Sequence, residues 1–269
     1  MTQHRNTSRW LWLSLALLAT PAGAADFEKG WRAYQQGDFA AALAEWKPLA
    51  DLGNARAQYN LGVMYDQGRG VSADQAKAVD WWRKAAEQGM AEAQHNLANA
   101  YIAGDGVPQD YALARDWLAR AAEKGLARSQ YSLGKLYETG LGLAADPAKA
   151  HALYLKAAGQ GYDRAQYNLG KMYRDGVGAE RDLAQAILWF RKSAEQGYAR
   201  AQAALGTRFA RGEGAPRDDA EALFWTSLAA SQGDSAAMEN RKVLLQRVGA
   251  PVAAQVEERV KAFKAKRAE

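Results

Sequence analysis

Residues 55–89 read ARAQYNLGVMYDQGRGVSADQAKAVDWWRKAAEQG, and the phrase returns four more times at a constant interval of 36 residues. The residues that recur most regularly in it are a glutamine, a leucine and an aspartate. They recur as Gln58, Gln94, Gln130, Gln166 and Gln202; Leu61, Leu97, Leu133, Leu169 and Leu205; and Asp74, Asp110, Asp146, Asp182 and Asp218. A fixed period of this length indicates stacked structural repeats, which offer an extended surface to a partner and rarely carry catalysis.

Each unit is predicted to hold two helices. Ala57, Leu61 and Tyr65 fall at i, i+4 and i+8, which is one stripe of a first helix. Gly62 lies beside this stripe and recurs, so we expect close helix–helix contact there. The G-x-G pair at Gly68 and Gly70 is typical of a helix end and not of a phosphate loop, because neither the full dinucleotide pattern nor G-K-[ST] follows.

The second helix of each unit is predicted to start behind a capping aspartate such as Asp74. It then alternates large rings with alanines, for example Trp82 with Ala78 and Ala85. Such a stripe is typical of a helix–helix core. Five aspartates in five separate turns do not predict a cation site.

These phrases resemble the Sel-one-like repeat, a branch of the tetratricopeptide-type helical repeats, over residues 55–233. The resemblance implies an all-α, right-handed solenoid of antiparallel helix pairs, with the first helices on the concave side. A shortened helix pair is expected at 25–54. Residues 234–269 are expected to form capping helices with a basic tail, including an amphipathic helix over 252–266 that covers the last apolar face.

Residues 1–24 have the pattern of a secretory signal peptide. Arg5 and Arg9 precede a short apolar run, and Ala22-Gly23-Ala24 is a small-x-small cleavage site. The run is about half of the 20 apolar residues that span a bilayer, so cleavage near Ala24 is favoured over a stable membrane anchor. We therefore expect a periplasmic or secreted chain.

The net charge of +5 is unevenly distributed. From Arg241 onward there are eight basic and three acidic residues, so the repeat body is slightly acidic and the basic character belongs to the two ends. Nucleic acid is a poor candidate partner for an exported chain of this kind.

No cofactor or metal site is predicted. There is no cysteine, and His95 and His151 lie in different units without ligands at suitable spacing. His95 takes the place of a repeat tyrosine and is expected on a surface stripe. Ser132-Leu133-Gly134-Lys135 spells the S-x-x-K of β-lactamases, but neither S-D-N nor K-T-G accompanies it, so we expect no enzyme.

The resemblance implies a protein-binding role. Adaptors are common in the family, and some periplasmic members resemble immunity proteins that neutralise lipases delivered by type VI secretion. Other members, rich in cysteine, are associated with binding or hydrolysing β-lactams, a pattern that this chain lacks. We therefore expect an adaptor, with an immunity protein as the alternative and a β-lactam enzyme as the weakest one.

The positions that vary between units lie on one face of the first helices, at i, i+4, i+7 and i+11. This face becomes basic toward the C-terminus and carries tyrosines, and arginine and tyrosine are favoured at binding hot spots. We expect it to bind an acidic segment of a partner protein. The candidate residues are Arg56, Tyr59, Arg128, Tyr131, Lys135, Arg164, Tyr167, Lys171, Arg174, Arg200 and Arg211.

Overall fold

A computed structural model describes residues 25–268, with side chains to 266, and every regular element in this range is an α-helix. The short N-terminal pair is α1 (Phe27–Gln35) and α2 (Phe39–Asp51). The repeats contribute α3 (Ala55–Gln67), α4 (Gln75–Glu87), α5 (Ala91–Ala103), α6 (Tyr111–Glu123), α7 (Ala127–Thr139), α8 (Pro147–Gly159), α9 (Asp163–Asp175), α10 (Leu183–Glu195), α11 (Ala199–Arg211) and α12 (Asp219–Ala230). The last helix is α13 (Ser235–Ala268).

The extensive helix contacts all join helices that are consecutive in the chain. The core is correspondingly a chain of small clusters, each built from one helix pair and its neighbour, and not one central core. This is the construction of an α-solenoid, as the interval of 36 residues predicts.

The second helices begin as predicted, behind aspartate caps. Asp74 accepts a hydrogen bond from the Lys77 N–H at 2.9 Å, and Asp146 accepts from Lys149 at 3.0 Å with Pro147 in the first turn. The first helices end in a left-handed glycine such as Gly68, at φ +65°. The second glycine of each pair is also sterically required: a Cβ on Gly70 would lie 2.8 Å from the Phe39 carbonyl oxygen.

The glycine inside α3, α7 and α9 lets a ring of the second helix approach the backbone, and Gly206 in α11 admits Thr226 in the same way. A Cβ on Gly170 would lie 2.5 Å from Phe190, and a Cβ on Gly134 would lie 2.8 Å from Tyr154. The second unit has Ala98 at this position, and there the facing residue is the smaller Leu118. Close contact therefore explains the recurring glycine.

The recurring glutamines join one unit to the next. Gln130 Nε2 donates to the Ala122 carbonyl oxygen at 3.2 Å, and its Oε1 accepts from Gln160 at 2.8 Å. Gln58, Gln166 and Gln202 repeat this arrangement. Each donates from Nε2 to a carbonyl oxygen of the preceding helix, and their Oε1 atoms accept from Gln88, Gln196 and Gln232 respectively. In the second unit Lys124 stands where the partner glutamine should be, and the buried Gln94 Oε1 lacks a partner among the described residues.

The two ends of the solenoid are closed differently. At the N-terminal end, Trp46 is fully buried and stacks against Phe27 at 5.7 Å between ring centroids. At the other end, α13 bends at Gly249 (φ 75°, ψ 165°) into two arms, and Leu244 and Val256, one from each arm, are buried in the last core cluster. The cap that the sequence predicts over 252–266 is thus the second arm of a longer, bent helix.

Within residues 25–268, none of the helices is both long enough and apolar enough to cross a bilayer. The predicted signal peptide at 1–24 lies outside the described residues.

Candidate functional site

The exposed sides of the first helices lie side by side and form one surface, here called the first-helix face (α3, α5, α7, α9 and α11). Side chains bridge neighbouring first helices directly. His95 Nδ1 on α5 lies 2.9 Å from Ser129 Oγ on α7, and Lys171 Nζ on α9 lies 3.8 Å from Glu138 Oε1 on α7. Residues from several units can therefore contact one partner.

At the N-terminal end of this face, the two predicted residues are occupied within the protein. Arg56 pairs with Glu28 at 3.5 Å, and its guanidinium lies 4.0 Å from the Phe27 ring centroid. Tyr59 is half-buried against the core cluster of α4 and α5. Arg56 therefore contacts the N-terminal helix α1, Tyr59 packs on the repeat core, and neither is a free binding group.

Tyrosines pack in pairs across the middle of the face. The Tyr131 ring lies 5.2 Å from Tyr162, and the Tyr167 ring lies 5.3 Å from Tyr198. Burial raises the pKa of Tyr131, Tyr162 and Tyr167, so these hydroxyls stay protonated near neutral pH. Sequence reasoning missed Tyr162 and Tyr198, although both precede a first helix in the same position.

Three arginines accompany these rings, at the second residue of three successive first helices: Arg128, Arg164 and Arg200. Among the described residues none of the three forms an ion pair, and Arg164 and Arg200 are exposed. The helices that they start, α7, α9 and α11, lack a side-chain cap, so the positive ends of α7 and α11 add to the potential, whereas at α9 the Asp163 carboxylate accepts the Arg164 N–H at 2.7 Å. We name Arg128, Arg164, Arg200, Tyr131, Tyr162, Tyr167 and Tyr198 the Arg–Tyr patch.

The remaining predicted basic residues lie in ion pairs with carboxylates that the sequence argument did not weigh. Lys135 pairs with Glu138 at 3.1 Å, and Lys171 reaches the same carboxylate. Arg174 pairs with Asp175 at 2.6 Å, and Arg211 pairs with Glu213 at 3.6 Å. Among the predicted residues, the arginines without an ion-pair partner in the described chain are therefore those of the Arg–Tyr patch.

Glu138 is the centre of one such network. Burial alone would raise its pKa, but the hydrogen bond from the Tyr154 hydroxyl at 2.7 Å and the two lysine charges outweigh burial and lower the pKa. The carboxylate is thus held ionised on the face, where it offsets one of the two positive charges of Lys135 and Lys171.

The opposite end of the face is acidic. Asp66 and Asp105 line a cavity of about 270 Å³ together with Asn96 and Asn99. Burial raises the pKa of Asp66, and the neighbouring Asp105 raises it further. The charge of the first-helix face therefore changes from negative to positive along the solenoid. The sequence argument described only the positive half.

The sequence predicts that His95 lies on a surface stripe, and this prediction is wrong. Its side chain is 8% exposed, because Ser129 replaces the usual repeat alanine and binds one ring nitrogen, while Asn99 lies 3.0 Å from the other. Burial and the Arg128 charge lower the pKa of His95 to about 4. Ser129 is fully buried, so this serine–histidine contact has no access to a substrate.

The other possible chemical groups are similarly engaged. Lys135 of the S-x-x-K sequence is in the ion pair with Glu138. His151 is half-buried with its ring 5.2 Å from Tyr173 in an edge-on arrangement. Between residues 25 and 266, no group of three or more histidine or carboxylate side chains is arranged to hold a metal ion.

Comparison with solved structures finds helical repeat proteins. A Sel1 repeat protein from Oxalobacter formigenes is 32% identical with a TM-score of 0.75, over 80% of this chain and 88% of that one. The protein c5321, a protective antigen of uropathogenic Escherichia coli strains with an SLR fold, is also 32% identical, with a TM-score of 0.61 over 88% of this chain and 60% of that one.

A more distant likeness is to immunity protein Pa5087 from Pseudomonas aeruginosa, at 23% identity and a TM-score of 0.46, over 78% of this chain and 80% of that one. This likeness is too remote to bear on function. No curated protein matches the chain significantly.

A model of the Sel1 repeat matches five consecutive segments, residues 55–90, 91–126, 127–162, 163–198 and 199–234. These segments coincide with the five helix pairs from α3 to α12. The chain belongs to the Sel1 repeat family.

Proposed function

We propose that this protein binds another protein through its first-helix face, with an acidic segment of the partner on the Arg–Tyr patch. One observation carries the proposal. The three arginines of the patch, on successive first helices, form no ion pair among the described residues. The other basic candidates on these helices are paired, namely Lys135, Lys171, Arg174 and Arg211.

The chemistry of the patch suits carboxylates presented by a polypeptide. Guanidinium groups bind carboxylates through two parallel hydrogen bonds, and tyrosines supply rigid contact area with a polar tip. The interval between units spaces the three arginines regularly, so an extended segment with several acidic side chains fits the row. Because the patch is exposed, we expect affinity to fall as salt rises.

We further propose that the protein acts outside the cytoplasm as an adaptor. The support is the signal-like sequence of residues 1–24. Fractionation of the native host and intact-mass measurement would test this, with a mature chain starting at Ala25 as the expected result. A full-length chain in the cytoplasm would contradict it.

The adaptor and immunity roles share the same binding event and differ in the partner. An adaptor should bind resident envelope proteins under all growth conditions. An immunity protein should protect cells against one delivered toxin, and its deletion should be lethal only when that toxin arrives.

Site-specific photocrosslinking tests the binding face. A photoreactive amino acid at Ala204 lies on the first-helix face, and the same group at Ala152 on α8 is an exposed second-helix control. We expect a defined crosslinked partner from position 204 and none from 152. The same partner captured equally from both positions would contradict the proposed face.

The proposal includes no catalytic step. The purified protein should not turn over β-lactams. Turnover that Ser132→Ala abolishes would overturn this part of the proposal and restore the enzyme alternative.

A further inference from the structure

An open space lies at the C-terminal cap, on helices that carry none of the residues of the Arg–Tyr patch. It is a cavity of about 460 Å³ between α12 and the two arms of α13. Its apolar wall is formed by Leu223, Met238, Leu245, Ala253, Val256 and Val260. The volume is within the range of small-molecule sites, which are commonly about 300–1,000 Å³.

The bend at Gly249 explains why the space is open. In a regular unit, seven residues such as 212–218 separate the first helix from the second. In α13 the two arms instead follow one another across Gly249, just before Pro251. The arms therefore diverge from the packing of a regular unit, and Met238 stays 43% exposed although it lines an apolar wall.

The lining has few uncharged polar groups. Ser231 Oγ donates to the Leu228 carbonyl oxygen at 2.8 Å, and Ser227 Oγ accepts from Arg241 Nε at 3.1 Å, so the Ser227 O–H is free to donate. A ligand that brought several polar groups inside would leave most of them without a hydrogen bond, at a cost. The wall therefore selects an apolar occupant.

The lining charges are mostly positive. Arg241, Lys242 and Lys264 line the cavity with a single acid, Glu257. Lys242 pairs with Glu239 at 2.7 Å, whereas Lys264 has no ion pair within the described residues. This charge complements an anion held where an apolar chain leaves the cavity.

We propose that this cavity binds the hydrocarbon chain of a single-chain anionic amphiphile of the fatty-acid class, with its carboxylate beside Arg241 and Lys264. A methylene occupies about the volume of one liquid water molecule, roughly 30 Å³, so the cavity holds on the order of fifteen heavy atoms. This inference is independent of the proposed protein-binding function.

Titration calorimetry with sodium dodecanoate, below its micelle concentration, tests the proposal on the full mature chain. We expect saturable binding of one molecule, strengthened on the order of fourfold for each methylene added between octanoate and dodecanoate. Dodecyltrimethylammonium, with the same chain and opposite charge, should bind at least about tenfold more weakly. Equal binding of the two ions, or no saturable binding of dodecanoate, would overturn the proposal.

Variants locate the site. Ala253→Phe fills the cavity and should abolish binding, and Lys264→Glu should weaken it about tenfold. Lys266→Glu makes the same charge change two residues away, outside the lining, and should leave affinity unchanged. Circular dichroism checks folding, and the chain-length series on the unchanged protein stands even if Ala253→Phe does not fold.

An acidic amphipathic peptide provides the competing outcome. If such a peptide bound in an Ala253→Phe-sensitive manner while dodecanoate did not bind, the cavity would be a protein-docking site and the amphiphile proposal would be wrong.

Discussion

At the scale of single residues, the repeat is held together by paired glutamines, and one unit lacks its pair. Gln232 shows what the missing glutamine would do, because its Nε2 reaches both Gln202 Oε1 at 2.8 Å and the Gly197 carbonyl oxygen at 3.1 Å. Lys124, in the same position, donates to the Gly89 carbonyl oxygen only. Gln94 Oε1 is thereby left buried without a donor.

Lys124→Gln is therefore expected to stabilise the protein. The new amide would satisfy Gln94 and keep the bond to Gly89, a gain of about 1 kcal/mol, which raises the melting temperature roughly 2–4 °C in a chain of this size. The reverse change, Gln160→Lys, is the matched control and should lower it by a similar amount. A lower melting temperature for Lys124→Gln in scanning calorimetry would contradict the glutamine-pair account.

His95 gives the protein an acid-sensitive contact. Its pKa is lowered to about 4 in the folded chain, below the unfolded value near 6.5, so the unfolded state binds the proton first as pH falls. Stability from this group is complete above pH 6.5 and is lost progressively from about pH 6.5 to 4. His95→Gln should flatten the melting temperature against pH in that window, and more strongly than His151→Gln does, although burial lowers the pKa of His151 as well. An unchanged slope would argue against a buried neutral His95.

At the scale of helices, the repeated glycine and the ring that it faces form a matched pair. Gly170→Ala should destabilise by about 1–3 kcal/mol, because the added methyl meets Phe190, and this exceeds the gain in helix propensity of about 1 kcal/mol. In the second unit both residues differ together, with Ala98 in place of the glycine and the smaller Leu118 in place of the ring.

Adding Phe190→Leu to Gly170→Ala should recover part of that loss, since it reproduces the Ala98–Leu118 pair. Chemical denaturation of the two single variants and the double variant measures the coupling. Strict additivity of the two losses would show that the methyl and the ring do not meet.

Most of this helix-scale structure was predictable from the sequence. Asp74 and its copies cap helices, and Gly62 and its copies admit a close side chain of the second helix, because local geometry imposes both and the period repeats them. The bend in α13 was not predictable, since Gly249 and Pro251 occur once and no copy shows what they do. The burial of His95 depends on Ser129, which lies one unit away.

At the scale of the whole molecule, the pattern of free charge was the part that sequence reasoning described least well. Arg128, Arg164 and Arg200 were identified as candidates, but so were Lys135 and Lys171, which share an ion pair with Glu138. Neighbouring helices supply such carboxylates, so a residue-by-residue reading of one face cannot separate free charge from paired charge. The resulting surface runs from an acidic end at Asp66 to a basic end at the Arg–Tyr patch.

The central claim is that the free arginines of the first-helix face bind the partner. The most direct test is the affinity of the crosslinked partner, once purified, for Arg164→Glu/Arg200→Glu and for Lys156→Glu/Lys192→Glu, which makes the same charge change on α8 and α10. Glutamate suits the first turn of a helix, so the first variant should remain folded. Calorimetry should show a loss of about a hundredfold or more for the first variant and little change for the second. Unchanged affinity of the first variant, with an intact helical spectrum, would contradict the account.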